Sequence, residues 1–235
     1  MQNPAPKIWL ALAPAMVLPF LASLFYFVFW SENVIARWIY GFTKLFTLLW
    51  PILVALLITK TGLPRVKLTD ASHRRALPLG VLGGIGIISV MGILLLTPCR
   101  EVLQASAPRI RAKVTALGIL DYYWTFGLFL SLIHSLLEEY YWRWFVYGHL
   151  RQVVATGLAH ILAGAAFSAH HIVVATQYFP PAWGVLFGGL TGVGGLLWSI
   201  LYEKQRTLAG AWICHVFVDL GILSIGHWLL FGTYF

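Results

Sequence analysis

The chain has 235 residues, of which 60% are apolar and only 10% are charged, and its mean hydropathy is +0.81. Soluble proteins carry about 25% charged residues, so this composition excludes a soluble globular enzyme, a disordered chain and a collagen-like chain. The sequence therefore predicts an all-α protein, a polytopic transmembrane helical bundle that forms one integral-membrane domain over residues 1–235.

Basic residues outnumber acidic ones, 16 to 8, which gives a net charge of +8. The basic residues form no dense run, so they are typical of loops that anchor a membrane protein rather than of a nucleic-acid-binding arm. We expect membrane lipids and no nucleic acid as partners. Cys99 and Cys214 show neither CxxC nor metal-type spacing, which predicts two free thiols.

Seven apolar stretches are long enough to cross a bilayer as helices. They are residues 8–30, 34–59, 77–98, 122–150, 153–176, 182–202 and 208–231. The stretch 101–120 is mixed, with Pro108 and several basic residues, and is either a helix on the membrane surface or an eighth, partial span. Paired glycines, Gly80 with Gly84 and Gly188 with Gly192, predict close helix packing, with a substrate groove as the alternative.

The positions of the eight acidic residues are informative. Five lie near span ends: Glu32, Asp70, Glu101, Asp121 and Glu203. The other three lie inside apolar segments, together with one arginine and three histidines: Glu138, Glu139, Asp219, Arg143, His134, His171 and His215. Each charge at the bilayer centre costs about 2.5–3.5 kcal/mol on insertion scales, so these groups should face one another in a functional site. The alternative is an ion-pair network that only locks helices together.

Helical spacing separates the two adjacent glutamates. Glu139 and Arg143 are four residues apart, with the acid on the N-terminal side, which favours an ion pair. Glu138 lies about 100° away and shares its face with His134 and Trp142. We therefore expect Glu138 to lack a salt bridge and to serve as a general base.

The histidines are also placed by their spacing. His170 and His171 point about 100° apart, so we expect only one of them to face the same chamber as Glu138. His215 and Asp219 are four residues apart, and an aspartate in that position can accept the ring N–H and hold the imidazole in one tautomer.

These residues form three motifs in order along the chain: EExxxR from Glu138 to Arg143, FxxxH from Phe167 to His171, and HxxxD from His215 to Asp219. The set resembles the CAAX protease and bacteriocin-processing family of intramembrane endopeptidases, which includes the type II CAAX prenyl proteases. The resemblance covers about residues 132–220, and the helices over residues 122–231 carry the motifs.

The resemblance implies a role for each motif residue. Glu138 would activate the attacking water with His171 as its partner, and Glu139 and Arg143 would form the supporting pair. His215 and the residue at Asp219 would stabilise the oxyanion. Many family members have asparagine at the last position, and an ionised aspartate cannot donate to an oxyanion. We therefore expect Asp219 to orient His215, which would be the donor.

The expected activity is hydrolysis of a peptide bond in a membrane-associated peptide or lipidated protein, in the plasma (inner) membrane. We expect no cofactor and no obligatory metal, although Glu138, His171 and His215 could alternatively hold zinc. The rival interpretations are a proton- or ion-coupled transporter that uses the same Glu/His/Asp cluster, and a catalytically inactive scaffold.

Overall fold

A computed structural model describes residues 5–30, 33–60 and 70–232, and within these ranges the chain is helical and contains no strand. Glu32 lies outside the described residues. The first four helices are α1 (Ala5–Phe29), α2 (Val34–Ile58), α3 (Ala71–Leu94) and α4 (Cys99–Ala116). They are followed by α5 (residues 123–150), α6 (Thr156–Tyr178), α7 (Pro181–Gln205) and α8 (Ala209–Phe231).

Six of these helices are long and apolar enough to cross a membrane, namely α1, α2, α3, α6, α7 and α8. The predicted all-α transmembrane bundle is thus confirmed. Helix α5 coincides with the predicted span 122–150 and has ample length, but it carries Glu138, Glu139 and Arg143. Helix α4 covers the mixed stretch, and its many charged residues keep it out of the apolar set.

Side-chain caps begin two of the helices. The Asn33 side chain accepts the backbone N–H of Ile35 at 2.8 Å, and Asp70 accepts that of Ser72 at the same distance. The hydrogen bond from Ser72 lowers the pKa of the Asp70 carboxyl, because it favours the charged form. These caps satisfy N–H groups that a helix start leaves without an intrahelical partner.

Helix α5 is not a regular α-helix. Wider π-helical turns occupy Leu130–His134 and Tyr140–Tyr147, on either side of the α-helical segment Ser135–Glu139. Turns of this kind are frequent at functional sites. The helix is fixed to α1 by the Tyr141 hydroxyl, which donates to the backbone carbonyl of Ala15 at 2.8 Å. The glutamates therefore lie between two irregular turns that are held against the first helix.

Glycines bring helix backbones into contact at two seams. A Cβ atom on Gly188 would lie 2.5 Å from the Cα of Ile172, so only glycine permits this approach of α7 to α6. A Cβ on Gly84 would lie 2.5 Å from the Cβ of Phe217, which brings α3 equally close to α8. The close packing predicted from the paired glycines is confirmed, and it holds the two motif-bearing helices α6 and α8.

Candidate active site

Glu139 is the most deeply buried acid of the cluster, with 0% exposure. One carboxylate oxygen lies 3.2 Å from Nε of Arg143, which is the ion pair expected from their spacing. The other oxygen lies 2.8 Å from Nδ1 of His215, on α8. The spacing on one helix predicted only the contact with Arg143, whereas this carboxylate also joins α5 to α8.

The Arg143 guanidinium lies between the Glu139 carboxylate and two aromatic side chains. It is 1% exposed and lies over two aromatic rings, 4.6 Å from the centroid of Phe167 and 4.9 Å from that of Trp198. Neither of its terminal nitrogens has a hydrogen-bond partner among the described residues. Contact with the ring faces offsets part of the cost of burying the cation. Arg143 thus neutralises Glu139 from the side away from His215.

The His215 imidazole is held on several sides. Its ring stacks on Trp198, with centroids 3.9 Å apart and planes 15° apart. Its Nε2 atom lies 3.7 Å from a Glu138 oxygen and 3.6 Å from an Asp219 oxygen. The i,i+4 spacing predicted that Asp219 accepts a ring N–H of His215, and this expectation is wrong. Glu139 is placed to accept the Nδ1–H instead. The reason is distance, since Glu139 approaches within hydrogen-bonding range and Asp219 stays outside it.

Glu138 borders a cavity of about 370 Å³, and its side chain keeps 14% exposure. On the same helix, Nε2 of His134 lies 3.9 Å from a Glu138 oxygen. His134 and Trp142 also line the cavity, as the shared helical face predicts. Among the described residues Glu138 has no lysine or arginine within salt-bridge distance, so it is the carboxylate of the pair that is open to a ligand.

Both histidines of the pair on α6 approach Glu138. One ligand-type atom from each of Glu138, His170 and His171 lies within 4.8 Å of the others. The expectation that only one of the two histidines would lie near Glu138 is therefore wrong, and of the two it is His170 that lines the cavity. Two residues about 100° apart on a helix are each only about 50° from a group that lies between them, and an imidazole is long enough to cover the difference.

The two rings are held differently. Nδ1 of His171 lies 2.9 Å from the Phe167 carbonyl, so it carries the proton and leaves the Nε2 lone pair free. The His170 ring stacks on Trp142, with centroids 5.6 Å apart and planes 8° apart. His171 is therefore oriented to accept a proton, whereas His170 packs against the wall of the cavity.

Two histidines and a carboxylate are ligands that suit zinc. The set with metal-like spacing is Glu138, His170 and His171, so His170 takes the position that the sequence suggested for His215. Nδ1 of His215 is already engaged by Glu139. If zinc binds, Glu138 and the two histidines of α6 would hold it, and it would activate a coordinated water.

Lys44 is a residue of the site region that was not predicted from the sequence. It lines the cavity, and its ammonium nitrogen lies 3.1 Å from Nε2 of His134. The signal was available, since a lysine inside an otherwise apolar stretch is as unusual as the acids of α5. A hydropathy value averaged over the whole of α2 does not reveal this single lysine.

Residues 120–221 match the family model described as "Type II CAAX prenyl endopeptidase Rce1-like". Over this range the chain is similar to the CAAX protease family. The matched range includes all six predicted site residues, from Glu138 on α5 to Asp219 on α8. Neither the curated proteins nor the solved structures include a significant match to the chain.

Proposed function

We propose that the protein is an intramembrane endopeptidase that hydrolyses a peptide bond of a membrane-associated, lipidated protein or peptide. The observation that carries the proposal is the approach of His171 and His215 to Glu138, which itself borders a cavity of about 370 Å³. The similarity of residues 120–221 to the CAAX protease family supports hydrolysis, and the membrane helices support a substrate that lies in or on the bilayer. We further propose the plasma (inner) membrane as its location.

In the proposed reaction Glu138 is the general base. It takes a proton from a water molecule in the cavity, and the water oxygen attacks the carbonyl carbon of the scissile bond. His171 assists with its free Nε2, because its other nitrogen is bound to the Phe167 carbonyl. The proton held by Glu138 is then given to the leaving nitrogen as the C–N bond breaks.

His215 is the proposed donor to the oxyanion. Glu139 accepts its Nδ1–H, and Nε2 faces the space between Glu138 and Asp219. A proton on Nε2 would point to where the carbonyl oxygen gains charge during attack. In this proposal Asp219 balances the charge of the ring at 3.6 Å, and Glu139 with Arg143 positions it. No metal is required, although the zinc alternative described above uses the same general region.

A proton- or ion-coupled transporter remains a different class of function for such a cluster. The family match gives it no support. A scaffold without activity is also less favoured, because Glu138 retains an open carboxylate beside two histidines, and this arrangement does little for packing.

The proposal is tested by comparing proteins that are shortened or released in cells that express the wild type, Glu138→Gln or Glu101→Gln. The first variant removes the general base with almost no change in shape. The second is a matched control on α4, away from the cavity. We expect cleavage products with the wild type and the control only. Identical products from all three would refute a Glu138-dependent peptidase.

A further inference from the structure

One large aromatic side chain of the site comes from α7, which carries none of the three motifs. Trp198 is 2% exposed, and its indole ring lies beside a residue of each motif. The Arg143 guanidinium is 4.9 Å from the indole centroid, and the Phe167 ring is 6.0 Å away at an angle of 71°. The His215 imidazole is the closest of the three, with centroids 3.9 Å apart and planes 15° apart. Helix α7 thus supplies a side chain that meets all three motif-bearing helices.

The stack restricts a motion of the His215 ring that its hydrogen bond leaves free. Glu139 accepts from Nδ1 at 2.8 Å, which fixes the position of that atom. The last torsion of a histidine side chain is broad, so the ring plane can still tilt about this contact. The oxygens of the two acids beside Nε2 are 3.6 and 3.7 Å away, beyond hydrogen-bonding distance, and the Phe167 ring lies edge-on at 6.4 Å. The parallel face of Trp198 is therefore the contact that sets the plane of the imidazole.

The indole face also suits the charge that His215 carries in the proposed reaction. A ring that donates one N–H to Glu139 and the other to the oxyanion is an imidazolium cation. Aromatic faces attract cations, and tryptophan attracts them most strongly. Because His215 is 5% exposed, solvent screens its charge only weakly, and contact with the indole offsets part of the cost of burying it. The same side chain thus orients the ring and stabilises its charged form.

We infer that Trp198 is a positioning residue, which holds His215 with its Nε2–H directed toward the oxyanion. The inference rests on the proposed peptidase function and adds a residue of α7 to it. Trp198 acts through His215 rather than on the substrate, since it is not among the residues that line the cavity beside Glu138. Loss of its ring face should therefore slow the chemical step and leave substrate binding unchanged.

The test measures kcat and KM for cleavage of an S-farnesylated peptide in phosphatidylcholine vesicles. Trp198→Leu removes the ring face, and Trp198→Phe keeps a smaller one. Trp183→Leu is the matched control, because Trp183 is a tryptophan of the same helix that does not line the cavity and lies about 22 Å along the helix axis from Trp198. If Trp198→Leu does not fold, Trp198→Met replaces it, since a flexible methionine fills the space without a ring face.

We expect Trp198→Leu to lower kcat by about 10- to 100-fold, the scale of a misplaced reacting group, with KM within about 2-fold of the wild type. Trp198→Phe should recover kcat to within about 3-fold of the wild type, because a ring face is restored. Trp183→Leu should keep both constants. A wild-type kcat in Trp198→Leu overturns the inference. So does a loss in Trp198→Phe as large as that in Trp198→Leu, or a loss that appears in KM alone.

A spectroscopic measurement separates this inference from the proposed activity. Solid-state NMR of histidine-labelled protein in vesicles gives an order parameter for the Cε1–H bond of His215, assigned by loss of its signal in His215→Gln. This order parameter should fall in Trp198→Leu and be retained in Trp198→Phe. That result supports the inference even if the wild type cleaves no peptide, in which case the peptidase proposal fails alone. An imidazole that is equally ordered in the wild type and in Trp198→Leu overturns the role of Trp198, whatever the cleavage assay shows.

Discussion

Glu139 and His215, which are 76 positions apart in the chain, approach to 2.8 Å between a carboxylate oxygen and Nδ1. The other oxygen of Glu139 contacts Arg143, so one carboxylate links the arginine of its own helix to the histidine of α8. This bridge is fully buried. It makes the position of the proposed oxyanion donor depend on a residue of a different motif.

Replacement of Glu139 tests this bridge. Glu139→Gln should lower the unfolding free energy by about 3–5 kcal/mol, because Arg143 becomes a buried charge without a counter-ion. Peptidase activity should fall as well, since His215 loses its charged partner. The double variant Glu139→Gln with Arg143→Met should recover part of the stability but not the activity. Thermal unfolding in detergent and cleavage of a farnesylated peptide measure the two effects, and recovery of both would contradict the positioning role.

Gly195 should be the most sensitive glycine near the site. A Cβ atom there would lie 2.8 Å from Cδ1 of Phe167 and 3.1 Å from a terminal nitrogen of Arg143. Gly195→Ala should therefore cost about 1–3 kcal/mol of stability through overpacking, and it should reduce activity by displacing Arg143. Gly189→Ala is the control, because a Cβ at that position meets nothing within 4 Å. Similar unfolding temperatures for the two variants would show that the site tolerates this displacement.

The two histidines of α6 should differ in their effect on the reaction. His171→Ala should lower kcat by about 10²–10⁴-fold, the usual contribution of an acid–base group. His170→Ala should lower it by about 10-fold or less, because its ring packs on Trp142 rather than presenting an oriented lone pair. Single-turnover cleavage by both purified variants decides the matter. Equal losses in two folded proteins would mean that His170 shares the chemistry.

Asp219 should tolerate an amide better than an apolar side chain. Asp219→Asn keeps an oxygen near Nε2 of His215 and adds a donor for the oxyanion, so it should retain much of the activity. Asp219→Leu removes both and should lose about 10²–10³-fold, the scale of an oxyanion contact. Cleavage rates of the two variants at saturating substrate check this expectation. A loss in Asp219→Asn as large as in Asp219→Leu would mean that the negative charge itself is required.

Chelation tests the choice between a metal-free glutamate and a bound zinc ion. We expect activity to survive dialysis against a strong chelator, because Glu138 acts on water directly in the proposed mechanism. The metal alternative predicts that activity is lost on dialysis and recovered when zinc is added. It also predicts that His170→Ala weakens zinc affinity, because His170 belongs to the cluster with metal-like spacing. Zinc content measured before and after dialysis completes the comparison.

The features that follow from local spacing were predictable from the sequence. The apolar stretches correspond to the helices, and the i,i+4 spacing anticipated the contact of Glu139 with Arg143. The hydrogen bond of Glu139 with His215 was not predictable, because it depends on how α5 packs against α8. A helical wheel compares residues of one helix only. Helical-wheel angles also failed to predict that His170 approaches Glu138 together with His171, because they ignore the length of the side chain.

Lys44 shows a different limit of sequence-based prediction. Its helix was predicted correctly, because one lysine hardly changes the mean hydropathy of 25 residues. The meaning of that lysine depends on whether it faces lipid or a cavity, and this is decided by the placement of α2 beside His134 on α5. Helix positions alone therefore locate the acids of the site but not the cation that completes its polar lining.

The seam between α6 and α7 also determines where lipid chains have access. Backbone contact at Gly188, and again where a Cβ on Gly184 would lie 2.7 Å from the Cα of Thr176, leaves no gap between these helices for an acyl or prenyl chain. The cavity beside Glu138 is lined by residues of α1, α2 and α5 and by His170 of α6. Lateral passage from the bilayer to the glutamate is therefore closed between α6 and α7, and the first two helices border the space that the lipidated substrate proposed above would enter.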